Sequence, residues 1–147
     1  MKTDSTSFDP HKAKGPIQDP QTYALIGAAQ KVHRVLGPGF KEATYEQALR
    51  VELSEQSIPF IPQPEYTVCY NNHPCGTYVP DLVAYNQVVL ELKAISGLSE
   101  DHTAQILSYL RVTNLPVGLL FNFGRSSLEF RRYYHPSQKQ IPKSFNP

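Results

Sequence analysis

Val88-Val89-Leu90-Glu91-Leu92-Lys93 is an apolar strand with a carboxylate and an ammonium set into it. No other stretch constrains the fold as much. Side chains alternate faces along a strand, so Glu91 and Lys93 share one face and Leu92 points away. Their neighbours are apolar, so the charged pair is expected to be half buried. Burying charge is costly unless something pairs with it. A second carboxylate stands close by in sequence: Pro80-Asp81 precedes Glu91 with nine residues between them.

Directly opposed residues on antiparallel strands share a face. Asp81 and Glu91 therefore face each other only across a loop with an odd number of residues. A three-residue loop, Tyr85-Asn86-Gln87, meets that condition, and Asn86 tolerates the left-handed backbone such loops need. A two-residue loop, Asn86-Gln87, pairs Asp81 with Leu92 and separates the carboxylates, unless a bulge restores the phase. In the odd register the two groups lie about 5 Å apart at Cβ, near enough to share one ion. Their hard oxygens suit Mg²⁺ or Mn²⁺. Lys93 beside them can orient or activate a water, or offset charge growing on a phosphate. The pattern favours metal-assisted phosphodiester hydrolysis. The competing reading is a solvated strand face carrying a salt bridge.

The rest of the chain supplies the frame. Residues 1–20 read as a disordered tail, with Pro10, Gly15, Pro16 and Pro20 among polar residues. A helix is expected from Gln21 to about Leu36, with Ala24, Leu25, Ala28, Val32 and Val35 on its apolar face. Gly37-Pro38-Gly39 ends it. A second helix, from about Lys41 to Gln56, turns Tyr45, Ala48, Leu49 and Leu53 inward. Pro59, Pro62 and Pro64 carry the chain out. Strands at 66–70, 77–84 and 88–93 are expected to form a three-stranded meander, with a turn at Asn71-Asn72-His73-Pro74. Ser99 reads as the N-cap of a helix running to about Val112, with Glu100 and Asp101 in its first turn. A buried strand at 117–121 and an edge strand at 127–134 follow. Residues 135–147 read as a second flexible tail. The spacing predicts one α/β domain over 21–134, a mixed sheet with helices packed on it.

Composition sets limits. The 147 residues suit one domain with one sizeable core. Net charge is +1, so any nucleic-acid contact comes from a local patch. Lys31, Arg34, Arg125, Arg131 and Arg132 are candidates for backbone contacts. The two cysteines, Cys69 and Cys75, fall short of an iron–sulfur cluster or a structural zinc site. No apolar run reaches membrane length and no signal peptide opens the chain, so a reduced, cytoplasmic setting without membrane contact is expected.

Several separated motifs agree in order. Gly39-Phe40-Lys41-Glu42-Ala43-Thr44-Tyr45 matches the motif that names the GxxExxY proteins. Val32-His33, Leu36-Gly37-Pro38, Glu91-Leu92-Lys93-Ala94, the stretch from Ser99 to Tyr109 and Gly118-Leu119-Leu120-Phe121-Asn122-Phe123-Gly124 fit the same pattern. Over about Gln21 to Tyr134 the chain resembles that group, which is similar to the PD-(D/E)XK nuclease superfamily. The resemblance implies a restriction-endonuclease-like αβββαβ core and a Mg²⁺- or Mn²⁺-dependent nuclease acting on DNA or RNA, with exonuclease-like character. It implies that Glu42, Asp81 and Glu91 bind metal and that Lys93 is the catalytic lysine. Gln105 and Tyr109 resemble the Gln-x-x-x-Tyr signature of the recombination-exonuclease branch, which orients substrate or supports the lysine. His33 and His102 are further candidates. Tyr45 reads as a core aromatic. The alternative is a non-catalytic binding or regulatory module that keeps the fold. A homo-oligomer or a protein partner fits either reading.

Overall fold

The computed structural model describes residues 19–136, so the expected tails lie outside the described residues except for the two positions at the inner end of each. Helix α1 spans Pro20–Leu36. Asp19 caps it: its carboxylate accepts from Gln21 N at 3.2 Å and from Thr22 Oγ1 at 2.8 Å. Pro20 sits at the first helical position, where a missing N–H costs nothing. Leu25, Ala28, Ala29 and Val32 are buried, but Val35, expected with them, is 75% exposed. Ten residues beyond Leu25, it has drifted about 80° round the helix, to the border of the apolar stripe. Helix α2 spans Glu42–Glu55 and buries Tyr45, Leu49 and Leu53. It also buries Glu46 and Glu52, an unusual cargo for an apolar face.

Seven strands follow: β1 Phe60–Pro62, β2 Tyr66–Tyr70, β3 His73–Tyr78, β4 Leu82–Ala84, β5 Val88–Lys93, β6 Val117–Asn122 and β7 Glu129–Tyr134. Helix α3, Glu100–Thr113, crosses between β5 and β6. The main sheet runs β1-β4-β5-β6-β7. Only β5 and β6 pair in parallel within it. This is the mixed sheet flanked by helices that the sequence predicts.

Two expectations need correction. Residues 77–84 are not one strand, and the 66–70 segment does not join a meander with β5. Strands β2 and β3 instead form a separate two-stranded hairpin, while β4 pairs with β1 and β5. The break falls at Val79-Pro80-Asp81. Pro80 has no N–H to give a ladder, so the chain can leave one pairing and enter another there. The turn is also shorter than expected. Asn71 and Asn72 hold it with φ of 51° and 67°, and His73 and Pro74 already belong to β3. Strand β1, among the prolines, was not expected; it lies on the sheet edge, where proline is tolerated.

Alternation divides the core in two. Leu90, Leu92, Leu119 and Phe121 pack with α1 and α2 residues such as Leu25 and Leu49. Val89 and Leu120 point the other way, into a cluster with Ile106 and Leu110 of α3 and Tyr133 of β7. Glu91 and Lys93 have the parity of Val89 and belong to the α3 side. Among the described residues no helix is long and apolar enough to cross a membrane.

Candidate active site

The loop between β4 and β5 sets the geometry. Ala84 pairs with Val88, which leaves Tyr85, Asn86 and Gln87 as an odd, three-residue connection. Tyr85 and Asn86 both have φ of 57°, and Gln87 N donates to Ala84 O at 3.0 Å. The ladder runs Ala84↔Val88, Val83↔Val89, Leu82↔Leu90. One step further, it sets Asp81 opposite Glu91.

The two acids are locked to each other's strands. Asp81 Oδ2 accepts from Leu92 N at 2.8 Å, and the Asp81 backbone N–H supports the Glu91 carboxylate. The Tyr78 hydroxyl donates to Glu91 Oε2. Burial, with the charge of Asp81 behind it, pushes the Glu91 carboxyl up to about 8. Burial also pushes Asp81 up to about 6, opposed by the Leu92 N–H; Glu46 and Glu42 raise it further and Lys93 draws it down. The pair is desolvated and mutually repelling, and Lys93 is the cation acting on both. Lys93 Nζ donates to Gln105 Oε1 at 3.4 Å, so α3 steadies the ammonium. Tyr109, one turn after Gln105, stacks on Tyr78 with ring centroids 3.7 Å apart. Burial, then the charges of Glu91 and Asp81, raise the Tyr109 hydroxyl, and burial raises Tyr78 well above its ordinary range.

Other candidates fall elsewhere. Glu42 opens α2 and is exposed; its charge is felt at Asp81. Among the described residues no three His, Cys, Asp or Glu side chains gather as a ready metal cage, so Glu42 does not complete a triad with the pair. His33 is buried, its Nε2 within 2.8 Å of Arg125 O and its ring stacked on Phe123. His102 Nδ1 accepts from Ser99 N at 2.9 Å, which completes the capping box of α3. Lys31 pairs with Glu52. Arg131 reaches Thr103 Oγ1 at 3.3 Å and Leu98 O at 3.4 Å.

Two residues at the site were not singled out from sequence. Glu46 is 8% exposed and is gripped by Arg50 Nη2 at 2.5 Å and Gln63 Nε2 at 3.2 Å. Gln63 also donates its backbone N–H to Asp81 O at 3.0 Å, which ties the two acids together. A signal existed: Glu46 shares a helix face with Leu49 and Leu53, an acid inside an apolar stripe. Tyr78 carried no such signal, because its contact with Glu91 lies off the ladder register.

The Gly39–Tyr45 motif builds the entry to α2. Tyr45, fully buried, donates its hydroxyl to Gly37 O at 2.6 Å and accepts from Phe40 N at 3.1 Å. Gly37 and Gly39 take φ of 71° and 118°, which side chains rarely adopt. The 118–124 motif works likewise on the loop after Lys93. Asn122 Oδ1 accepts from Ile95 N at 2.9 Å and its Nδ2 donates to Ile95 O at 3.1 Å. A Cβ on Gly124 would lie 2.2 Å from Ile95 O, so only glycine fits.

No curated protein matches the chain in a sequence comparison. A family model described as PD-(D/E)XK nuclease superfamily matches residues 19–133. That match takes in the sheet up to Tyr133, the acid pair, the lysine and α3; the chain belongs to the PD-(D/E)XK nuclease superfamily.

Proposed function

We propose that the protein is a divalent-metal-dependent nuclease that hydrolyses phosphodiester bonds, with its chemistry at Asp81, Glu91 and Lys93. One observation carries this reading: a buried carboxylate, Glu91, and a half-buried one, Asp81, face each other with one lysine beside them. That donor set fits a hard divalent cation. Burial and repulsion raise both carboxyls, and a cation relieves both terms.

Asp81 and Glu91 would hold the ion, Mg²⁺ or Mn²⁺, and Glu42 and Glu46 would add negative charge around it. When bound, such an ion offsets charge on the phosphate and lowers the pKa of a coordinated water. Lys93 orients the attacking water and balances charge on the phosphorane-like transition state. Gln105 keeps the ammonium in place through its side-chain oxygen. Tyr78 fixes the Glu91 carboxylate, and Tyr109 buttresses Tyr78. The Gln105–Tyr109 pair favours an exonuclease-like branch, and the Gly39–Tyr45 motif favours the GxxExxY group within the superfamily. The exposed free thiols Cys69 and Cys75 suit a reducing, cytoplasmic setting.

The test is cleavage of end-labelled single- and double-stranded DNA and RNA with Mg²⁺, Mn²⁺ or chelator. Metal-dependent cleavage that disappears in Lys93→Ala is expected. A folded wild-type protein that cuts none of these substrates with either metal overturns the enzyme reading in favour of a non-catalytic module.

A further inference from the structure

The β2–β3 hairpin stands apart from the main sheet, and its base is the active site. Its last residue, Tyr78, donates to Glu91 and stacks on Tyr109. From there outward, positions 67 to 77 are exposed, except for the half-buried Val68. Exposure on this scale is odd for residues such as Tyr70, which is 71% exposed. The register puts Tyr66 opposite Tyr78 and Tyr70 opposite His73. The bulge that leaves Cys75 unpaired lies in β3, so Tyr66, Val68 and Tyr70 keep one face. A row of rings therefore runs from Tyr78 through Tyr66 to Tyr70 and His73. Between the two ring pairs, Val68 faces Gly76, where a Cβ would meet nothing within 4 Å. The span from Tyr66 to Tyr70 is about 13 Å.

The hairpin has a second property. From Tyr66 to Tyr78 it contains no Asp, Glu, Lys or Arg. Phosphate contacts to either form need cations, so this surface offers little to a duplex, whose bases are already stacked on one another. This surface has rings and amides instead, with Asn71 and Asn72 at the tip. Those are the groups that stack on and hydrogen-bond to unpaired bases.

We propose that the hairpin is a stacking arm that binds the unpaired strand of a nucleic-acid substrate and leads it to the Asp81–Glu91 pair. This deepens the nuclease reading by naming the substrate class. It commits the enzyme to single-stranded or frayed substrates and makes Tyr70 the outermost platform.

Binding can be tested apart from chemistry. Fluorescence anisotropy with labelled single-stranded and duplex oligonucleotides, in chelator, compares wild type, Tyr70→Ala and Tyr70→Phe. Tyr70 is exposed, so the variants keep the fold, and circular dichroism checks it. Wild type should prefer the single strand. Tyr70→Ala should lose about tenfold in single-strand affinity, the usual worth of one stacked base, with duplex affinity unchanged. Tyr70→Phe should retain the wild-type value. Three results overturn the proposal: a wild type that does not bind single strands, an unchanged Tyr70→Ala, or equal losses on single strand and duplex. Self-association that Tyr70→Ala abolishes, with single-strand affinity intact, also overturns it in favour of a second copy of the chain. Single-strand binding by this arm without cleavage in Mg²⁺ or Mn²⁺ supports the arm and defeats the nuclease reading. Cleavage with normal binding by Tyr70→Ala does the reverse.

Discussion

Two glutamates in this molecule expose almost the same area and are oppositely treated. Glu52 on α2 is 8% exposed and Glu91 on β5 is 9% exposed. Glu52 accepts from Gln56 Nε2 at 2.6 Å and pairs with Lys31 Nζ at 3.3 Å. Those partners, the Gln56 bond foremost, hold its carboxyl below the ordinary range against the cost of burial. Glu91 has a tyrosine hydroxyl and a second acid for neighbours, and its carboxyl is pushed up to about 8. Exposed area is thus nearly the same in both places, but Glu91 lies deeper in the fold, and burial is the foremost cause of its raised carboxyl. The two also differ in counter-charge. At Glu52 the fold supplies it, and the acid is part of the α1–α2 packing. At Glu91 the nearby cation, Lys93, is bonded to Gln105 and only partly offsets burial and the charge of Asp81.

Cleavage should split the two glutamates most widely. Glu91→Gln and Lys93→Ala should each lower the single-turnover rate by on the order of 10²-fold or more, the size of loss when a key electrostatic group is removed. Glu52→Gln, whose partners are Gln56 and Lys31, should cleave near the wild-type rate. Equal losses in Glu91→Gln and Glu52→Gln would erase the distinction.

Stability against pH should show the next largest contrast. The folded pKa values of Asp81 and Glu91 lie above their ordinary values, at about 6 and about 8. Such groups bind protons more tightly when folded, so their contribution is fully present below the ordinary values of 3.8 and 4.5. It is lost as pH rises through about 6 and then about 8. Glu52 has the opposite sign: its contribution is present above 4.5 and lost as pH falls through its lowered folded value. Urea midpoints in chelator, followed across this range, should therefore fall toward alkaline pH in the wild type. Glu91→Gln should flatten that fall, and a variant that tracks the wild type would show that Glu91 is not the strained acid.

The smallest effect belongs to Glu52 at neutral pH. Lys31 is largely solvent-exposed, so the pair is screened. Glu52→Gln should cost about 1 kcal/mol or less in urea unfolding. A loss several times larger would mean that the α1–α2 pair, rather than the apolar contacts around it, holds the two helices together.

The Glu91 half of this contrast is legible in sequence, and the Glu52 half is not. The odd-loop argument placed Asp81 against Glu91, and Tyr85 and Asn86 adopt the left-handed backbone it required. The helices were visible because each carries a 3.6-residue stripe long enough to average out exceptions. The hairpin was not, because parity along 77–84 continues through Pro80 and says nothing about which partner each half takes. That choice depends on long-range pairing, which no local pattern encodes. Glu46 lies one turn beyond Glu42, the acid inside the Gly39–Tyr45 motif, and outside that motif itself. The buried acid is the one whose face Leu49 and Leu53 share. His33 and His102 show the converse: a histidine near a motif is spoken for by Arg125 O in one case and by a helix cap in the other.

Asp81 and Glu91 are proposed to form an acid pair that a divalent cation completes. Calorimetric titration of Mn²⁺ into the 147-residue chain at pH 7.5 is the decisive experiment. Saturable binding by the wild type is expected, lost in both Asp81→Asn and Glu91→Gln and kept in Glu52→Gln. Wild-type heats indistinguishable from those of Asp81→Asn would contradict it.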